Sequence, residues 1–314
     1  MADLFAASSK TLMLGCASLL VGIVVLRGYL LPRAPHHHPP RRWVIALASV
    51  LIVISVLDML WRIRSVLGFV TPELALNYLQ NTRHGTAVLW RSGLVILLTA
   101  TLLQHRLRGW TFALMSSAAA GILYTFSAIS HAAAMGGLPE TLLDWTHFVA
   151  ASAWAGGLLA LVLFTTTTSE TPETSETSET FVASINRLSR LGLAAVIVLM
   201  LSGIASARLH VDSATVLTGT SYGRALLVKN ALVLLTLAIA GANRWLFLPA
   251  AKRLQATHTN RAASTNKTNN TNHSETQQKT GARALLTALR YEAMILIAVL
   301  AATGWLTTQP MPHH

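Results

Sequence analysis

The sequence predicts an all-α fold, a polytopic membrane bundle of about eight transmembrane helices, on two observations. First, 53% of the 314 residues are hydrophobic and only 11% are charged, whereas a soluble domain has about 25% charged residues. Second, the apolar residues form long runs, and about 20 such residues span a hydrocarbon core. Helices are expected because lipid offers no hydrogen-bond partner to exposed backbone groups. The expected spans are residues 11–31, 43–62, 86–104, 110–130, 146–166, 188–207, 223–244 and 287–307.

The positions of the basic residues predict the orientation of the bundle. Thirteen lysines and arginines lie in the connections between spans 1 and 2, 3 and 4, and 7 and 8, against six on the other side. Because basic loops stay in the cytoplasm, both termini are expected on the outer side of the membrane. The net charge of +12 is thereby explained by topology, and nucleic acid is not an expected partner. The single cysteine, Cys16, excludes an intramolecular disulfide.

The chain is predicted to consist of two four-helix membrane halves, residues 1–130 and 131–314. An internal repeat supports this division, because "NTRHGTAVLWRSGLVILL" (81–98) aligns with "GTSYGRALLVKNALVLL" (219–235) at an offset of 138. Four spans in each half predict a parallel 4+4 duplication. Transporters built from such repeats bind their substrate near the repeat interface.

Two low-complexity inserts, residues 167–186 and 255–284, follow spans 5 and 7. They are rich in threonine, serine, glutamate and asparagine and contain few apolar residues. Segments of this composition cannot bury enough apolar surface to fold. Both inserts are therefore expected to be disordered cytoplasmic loops.

The connection "SHAAAMGGLPETLLDWTHF" (130–148) between spans 4 and 5 contains a candidate metal site. His131 ends span 4, Met135 follows four residues later, and His147 opens span 5. The short connection makes the two helices antiparallel neighbours, so the histidines are expected at one membrane level. Imidazole with thioether suits Cu(I), and imidazole alone suits Cu(II), zinc or haem iron. The alternative is that both histidines only form hydrogen bonds at the membrane interface.

Other sulfur, imidazole and carboxylate groups are candidate ligands at separate points of the bundle. Methionine in an apolar helix is more often a packing residue, and a carboxylate in a span is a candidate functional group. These weaker candidates are His210, Met59, Met200, Glu292, His313 and His314.

Charged residues inside the predicted spans are expected to pair or to support proton coupling, because an isolated charge in lipid is costly. Asp58 has Arg62 one helical turn away, and Arg91 is a further candidate partner. Lys229 occupies the position of the repeat that matches Arg91, and Asn243 is a candidate partner for Glu292.

Several enzyme classes are excluded by missing motifs. The chain contains no G-x-x-x-x-G-K-[ST], H-E-x-x-H or G-x-S-x-G sequence, which are the signatures of nucleotide-driven pumps and of common hydrolases. We therefore expect that the protein is not an enzyme.

Five segments resemble the copper-resistance protein D (CopD) family. The resemblance covers about residues 130–307, a CopD-like core, and extends more weakly over 80–100. The segments are "SHAAAM", "DWTHFVAASAWAGGLLAL", "LSGIASARLHV", "GTSYGRALLVKNALVLLTLAIAGANRWLFLPA" and "LRYEAMILIAVLAAT".

The resemblance implies copper transport or homeostasis at the bacterial inner membrane, with uptake from the periplasm to the cytoplasm. It also implies that His131 and His147 are copper ligands, whereas a role for Met135 rests on spacing alone. A periplasmic copper carrier of the CopC type is the implied partner, and the inserts at 167–186 and 255–284 depart from the family's usual short loops.

Two other functions remain open at this stage. One is a b-type haem electron-transfer protein that uses His131 and His147, although haem ligands normally lie deeper in their helices. The other is a factor that delivers copper to a membrane oxidase or assists its assembly.

Overall fold

The computed structural model describes residues 2–32, 39–104, 109–130, 133–134, 137–166, 175–210, 221–242 and 271–306. Those residues form helices and short turns, and they contain no strand. The all-α prediction is confirmed. The helices are α1 (Ala2–Val25), α2 (Arg41–Leu67), α3 (Pro72–Asn81), α4 (Arg83–Leu102), α5 (Gly109–Ser127), α6 (Leu138–Ala151), α7 (Gly157–Thr166), α8 (Ser175–His210), α9 (Ser221–Ala242) and α10 (Thr271–Leu306).

Six helical stretches in the described part of the chain are long and apolar enough to cross a membrane. The remaining two predicted spans correspond to α5 and α9, which are helical. Helix α5 is not among the six stretches, and within α9 the apolar stretch found in the described residues is the shorter Asn230–Gly241. The count of eight spans and the 4+4 duplication therefore stay predictions. The six stretches are Phe5–Leu30, Arg41–Leu67, Arg83–Leu102, Leu138–Phe164, Ala183–Ser206 and Thr287–Trp305.

Three helical segments differ from the sequence-based expectation. Helix α3 was not predicted, although Pro72 in its first turn and a capping bond from Leu74 N–H to Thr71 Oγ1 are ordinary start signals. Helices α8 and α10 begin at Ser175 and Thr271, inside the inserts predicted to be disordered. Serine and threonine readily begin helices, and glutamate, glutamine and lysine extend them, so these polar residues continue the membrane helices.

Helix α1 lies at the centre of the bundle. It contacts α2 and α5 of the first half and α7 and α10 of the second. Ala17, Leu20 and Ile23 are completely buried in its middle. The core of the protein is therefore built around the first helix.

A close crossing joins α1 to the π-helical segment Ser152–Gly156, which links α6 to α7. Ser18 and Ser152 share a hydrogen bond of 3.1 Å between their hydroxyl oxygens. One turn further, a Cβ atom on Gly22 would overlap the carbonyl group of Gly156. The contacts advance by four residues on both chains, so the two segments run parallel. Small residues of this kind let membrane helices approach closely.

Candidate functional site

His147 lies well inside α6 rather than at its start. Helix α6 begins at Leu138, directly after Gly137, whose φ of 83° ends the preceding connection. The expected start at residue 146 is therefore too late, because Glu140 and Asp144 lower the hydropathy of a segment that is nonetheless helical. At 1.5 Å per residue, His147 is about 14 Å along the helix. The imidazole is half-buried.

The His147 ring is oriented by Ser202 on α8. The Nδ1 atom lies 2.8 Å from the Ser202 hydroxyl oxygen, and that hydroxyl donates its own hydrogen to the Val198 carbonyl at 2.7 Å. The serine oxygen therefore accepts from Nδ1–H, so the neutral ring carries its lone pair on Nε2. A hydrogen bond that fixes the tautomer in this way is typical of histidines that bind metals.

The prediction that His147 binds a metal ion implies that replacing Ser202 by alanine weakens that binding by about 10-fold, the lower end of the effect of such supporting hydrogen bonds. The serine side chain is buried against the ring, so its loss frees the imidazole to rotate. Competition between the purified protein and a chromophoric Cu(I) chelator measures the change. Ser92→Ala is the matched control, because Ser92 makes the same i−4 bond, to Val88, on a different helix. Equal affinities in both variants would contradict the orienting role.

Aromatic contacts fix the depth of His147 relative to α5. The indole N–H of Trp145 donates to the Ala120 carbonyl at 2.9 Å, and the same ring meets Tyr124 edge-on at 5.9 Å. Phe148 meets Phe126 edge-on at 5.8 Å between ring centroids. The residues on both sides of His147 are therefore anchored to α5.

The other predicted ligands are not brought to His147 by the described part of the structure. Met59 is buried in a small cluster with Ile63 and Val88, which explains it as a packing residue. Met200 is 58% exposed, and Glu292 is buried within α10. In the described ranges, no group of three or more His, Cys, Asp or Glu side chains is arranged to hold a metal ion. His131, Met135, Asn243, His313 and His314, and the side chains of His210 and Lys229, lie outside the described residues.

A buried ion cluster lies in the first half of the bundle, around Asp58. The carboxylate is 3% exposed and pairs with Arg62 Nε at 2.9 Å. It also accepts a hydrogen bond from the Ser9 hydroxyl at 3.1 Å and lies 3.4 Å from His84 Nε2. Sequence reasoning missed His84, although it stands in the first turn of the repeated segment that begins span 3. His84 could have been recognised as a candidate because an ionisable residue inside a membrane span is usually functional.

Arg91 is buried below this cluster and does not bond directly to Asp58. Its Nε donates to Thr125 Oγ1 at 3.0 Å, and Nη1 donates to Ser55 Oγ at 3.2 Å. The guanidinium also lies over the Phe126 ring, 3.7 Å from its centroid. Arg91 therefore ties α4 to α2 and α5, and its charge acts on Asp58 only at longer range.

Two family models match the chain. The description "Copper resistance protein D-like, N-terminal domain" matches residues 1–142, and "Copper resistance protein D" matches residues 182–306. The chain belongs to the copper resistance protein D family. Membership connects it with copper resistance, and the six apolar helices agree with a multi-pass membrane protein of that family. Residues 143–181, which include His147, lie in neither matched segment.

No curated protein and no solved structure matches this member of the copper resistance protein D family. The two matched segments do not correspond to two independent structural units. Helix α1, in the N-terminal segment, packs against α10 in the C-terminal segment. The copper resistance protein D fold in this chain is therefore one bundle.

Proposed function

We propose that the protein transports copper ions across the bacterial inner membrane, from the periplasm to the cytoplasm, and that His147 binds the ion within the bundle. One observation supports this most directly. The His147 imidazole is held about 14 Å along a membrane-spanning helix, with Ser202 leaving the lone pair on Nε2. An ionisable group within a membrane-spanning helix is usually functional, and imidazole nitrogen is a good copper ligand.

His131 and Met135 are proposed as the ligands that receive copper before His147. Both lie in the short connection between the end of α5 at Ser127 and the start of α6 at Leu138. The aromatic contacts between α5 and α6 keep the two ends of this connection near the same side of the bundle. Loop charge supports the periplasm as that side. A periplasmic carrier of the CopC type is the proposed donor of the ion.

Glu292 is proposed as a ligand nearer the cytoplasmic end. It is 4% exposed on α10, whose Gly304 packs tightly against Thr11 near the start of α1. Glu292 precedes Gly304 by twelve residues and therefore lies about 18 Å further towards the opposite end. A carboxylate there is suited to binding a cation that leaves the imidazole site.

Copper binding and copper uptake by a His147→Ala variant test this function. We expect its affinity for Cu(I) to fall at least tenfold and its uptake of copper into proteoliposomes to be lost, because the central ligand is removed. The matched control is Thr146→Ala, which changes the exposed neighbour on the same helix and is expected to behave as wild type. Wild-type binding and uptake by His147→Ala would overturn the site.

The same preparations separate the two other functions. A strong Soret band in the wild-type protein that disappears in His147→Ala would show that the bound group is haem b and not copper. Copper binding that depends on His147, together with no uptake into sealed vesicles, would contradict transport and support copper delivery to a membrane oxidase.

A further inference from the structure

The charge cluster around Asp58 is a second site that the proposed copper path does not use. It is formed where three helices meet, with Ser9 from α1, Asp58 and Arg62 from α2, and His84 from α4. All three partners of Asp58 are held within 3.4 Å of its carboxylate. Because these three contacts occupy the Asp58 carboxylate, they limit which other atoms of the cluster can accept a hydrogen bond or a proton.

The hydrogen bonds assign the tautomer of His84. An ionised carboxylate only accepts hydrogen bonds, and the close contact with Arg62 is typical of the ionised form. His84 Nε2 must therefore carry a hydrogen that it donates to Asp58, which leaves the lone pair of the neutral ring on Nδ1. That Nδ1 atom is buried, and among the described residues it has no hydrogen-bond partner. Leaving such a group unpaired costs about 1–3 kcal/mol.

The cation that fits this lone pair is a proton. A metal ion needs several ligands, whereas His84 Nδ1 offers a single lone pair. A proton needs one acceptor atom, and imidazole ordinarily gains it between about pH 5 and 8. The resulting imidazolium would lie beside the Asp58 carboxylate, so that the new charge has a counter-ion at 3.4 Å.

The charged side chains of the neighbouring helices that interact with Asp58 are all cationic. Lys10 from α1, Arg62 from α2 and Arg91 from α4 are cationic and lie close enough to interact with Asp58. Tyr78 from α3 contacts the ring edge-on at 6.0 Å, and α5 contributes no charged side chain. Asp58 is thus the carboxylate of this cluster that offsets an additional positive charge on His84.

The cluster lies near the end of the bundle that carries the amino terminus, because Ser9 is close to the start of α1 and His84 is in the first turn of α4. The His84 side chain is 16% exposed and that of Arg62 is 40% exposed. Below them, Arg91 is 2% exposed and its guanidinium is enclosed by Ser55, Thr125 and the Phe126 ring. A proton can therefore arrive from the end of the bundle that carries the amino terminus, whereas the buried Arg91 cation opposes its passage further inward.

We infer that Asp58 and His84 form a proton-binding site, in which Nδ1 of His84 takes up a proton from the predicted periplasmic side. Protonation converts the contact between His84 and Asp58 into a full ion pair and thereby strengthens the attachment of α4 to α2. The site itself is independent of copper. Its link to uptake rests on the proposed transport function.

Nuclear magnetic resonance of protein labelled with ¹⁵N-histidine tests the site. The His84 signals are assigned as those missing from His84→Gln. Spectra are recorded between pH 8 and pH 5. We expect the neutral wild-type ring to carry its hydrogen on Nε2 and the imidazolium form to appear as the pH is lowered. Asp58→Asn is expected to show less of the imidazolium form at each pH, because the carboxylate that offsets the new positive charge is removed. Glu73→Gln, which changes an exposed carboxylate on α3, is the control and should titrate as wild type.

The proposal is overturned if wild-type His84 keeps one ring hydrogen throughout this pH range, a result that needs no variant to fold. It is also overturned if Asp58→Asn elutes as a folded protein and titrates unchanged. Coupling is then measured as copper uptake at external pH 5.5 and 7.5. We expect a pH dependence in the wild type that His84→Gln lacks, with Cu(I) affinity unchanged. Absence of uptake from wild-type vesicles, with normal His84 titration, would refute the transport function alone.

Discussion

Gly22→Ala is expected to destabilise the protein by at least about 3 kcal/mol, the upper end of the range for overpacked cores. The added Cβ would overlap the backbone carbonyl of Gly156, and neither chain can withdraw easily. The adjoining Ser18–Ser152 hydrogen bond fixes the crossing one turn away, and the flanking residues Val21 and Ile23 are buried. The expected result is a protein that aggregates or unfolds well below the wild-type temperature.

Gly15→Ala on the same helix is the matched control for this substitution. No atom outside the helix's own backbone lies within 4 Å of a Cβ built on Gly15. Alanine also favours a helix over glycine by about 0.5–1 kcal/mol, so this variant should equal or exceed the wild type in stability. Size-exclusion elution after heating the detergent-solubilised protein measures both. Equal melting of the two variants would show that the crossing is not tightly packed.

Arg91→Ala is expected to lower the free energy of unfolding by about 3–5 kcal/mol, the cost of breaking a buried charge network. The substitution leaves a cavity among α2, α4 and α5 and removes the donors to Thr125 and Ser55. It also removes one of the positive charges that act on the buried Asp58. All three effects act in the same direction.

Arg83→Ala is the control for charge at the same helix. Arg83 is exposed at the start of α4, and substitutions of exposed residues usually change stability by less than about 0.5 kcal/mol. Thermal unfolding in detergent at two salt concentrations compares the variants. If Arg91→Ala unfolded at the same temperature as Arg83→Ala, the hydrogen bonds from Arg91 to α2 and α5 would not stabilise the bundle.

The all-α fold can be predicted from the sequence because hydropathy shows the length of each apolar run, and a run of about 20 residues predicts a membrane-spanning helix. Hydropathy does not report where a helix leaves the lipid. Helix α6 begins at Leu138 although Glu140 and Asp144 make its first turns polar, and α8 begins at Ser175 for a similar reason. The π-helical segment at Ser152–Gly156 has no distinctive composition, because it is produced by packing against α1.

The candidate site could be predicted only in part for a related reason. His147 was recognisable as an imidazole inside an apolar run, and the pairing of Asp58 with Arg62 follows from helical spacing. The roles of Ser202 and His84 depend on partners 55 residues from His147 and 26 residues from Asp58 along the chain. Such contacts are set by which helices meet, and one sequence does not specify them.

The central position of α1 has a consequence for biosynthesis. Helix α1 finds packing partners in Ser152–Gly156 and in α10, which are synthesised much later than α1 itself. Until then, the hydroxyl of Ser18 and the tight surface around Gly22 must remain in lipid or inside the insertion machinery. Packing around α1 is therefore completed only after translation has passed α10, and a fragment that stops before Ser152 would be inserted with this face of α1 unpacked.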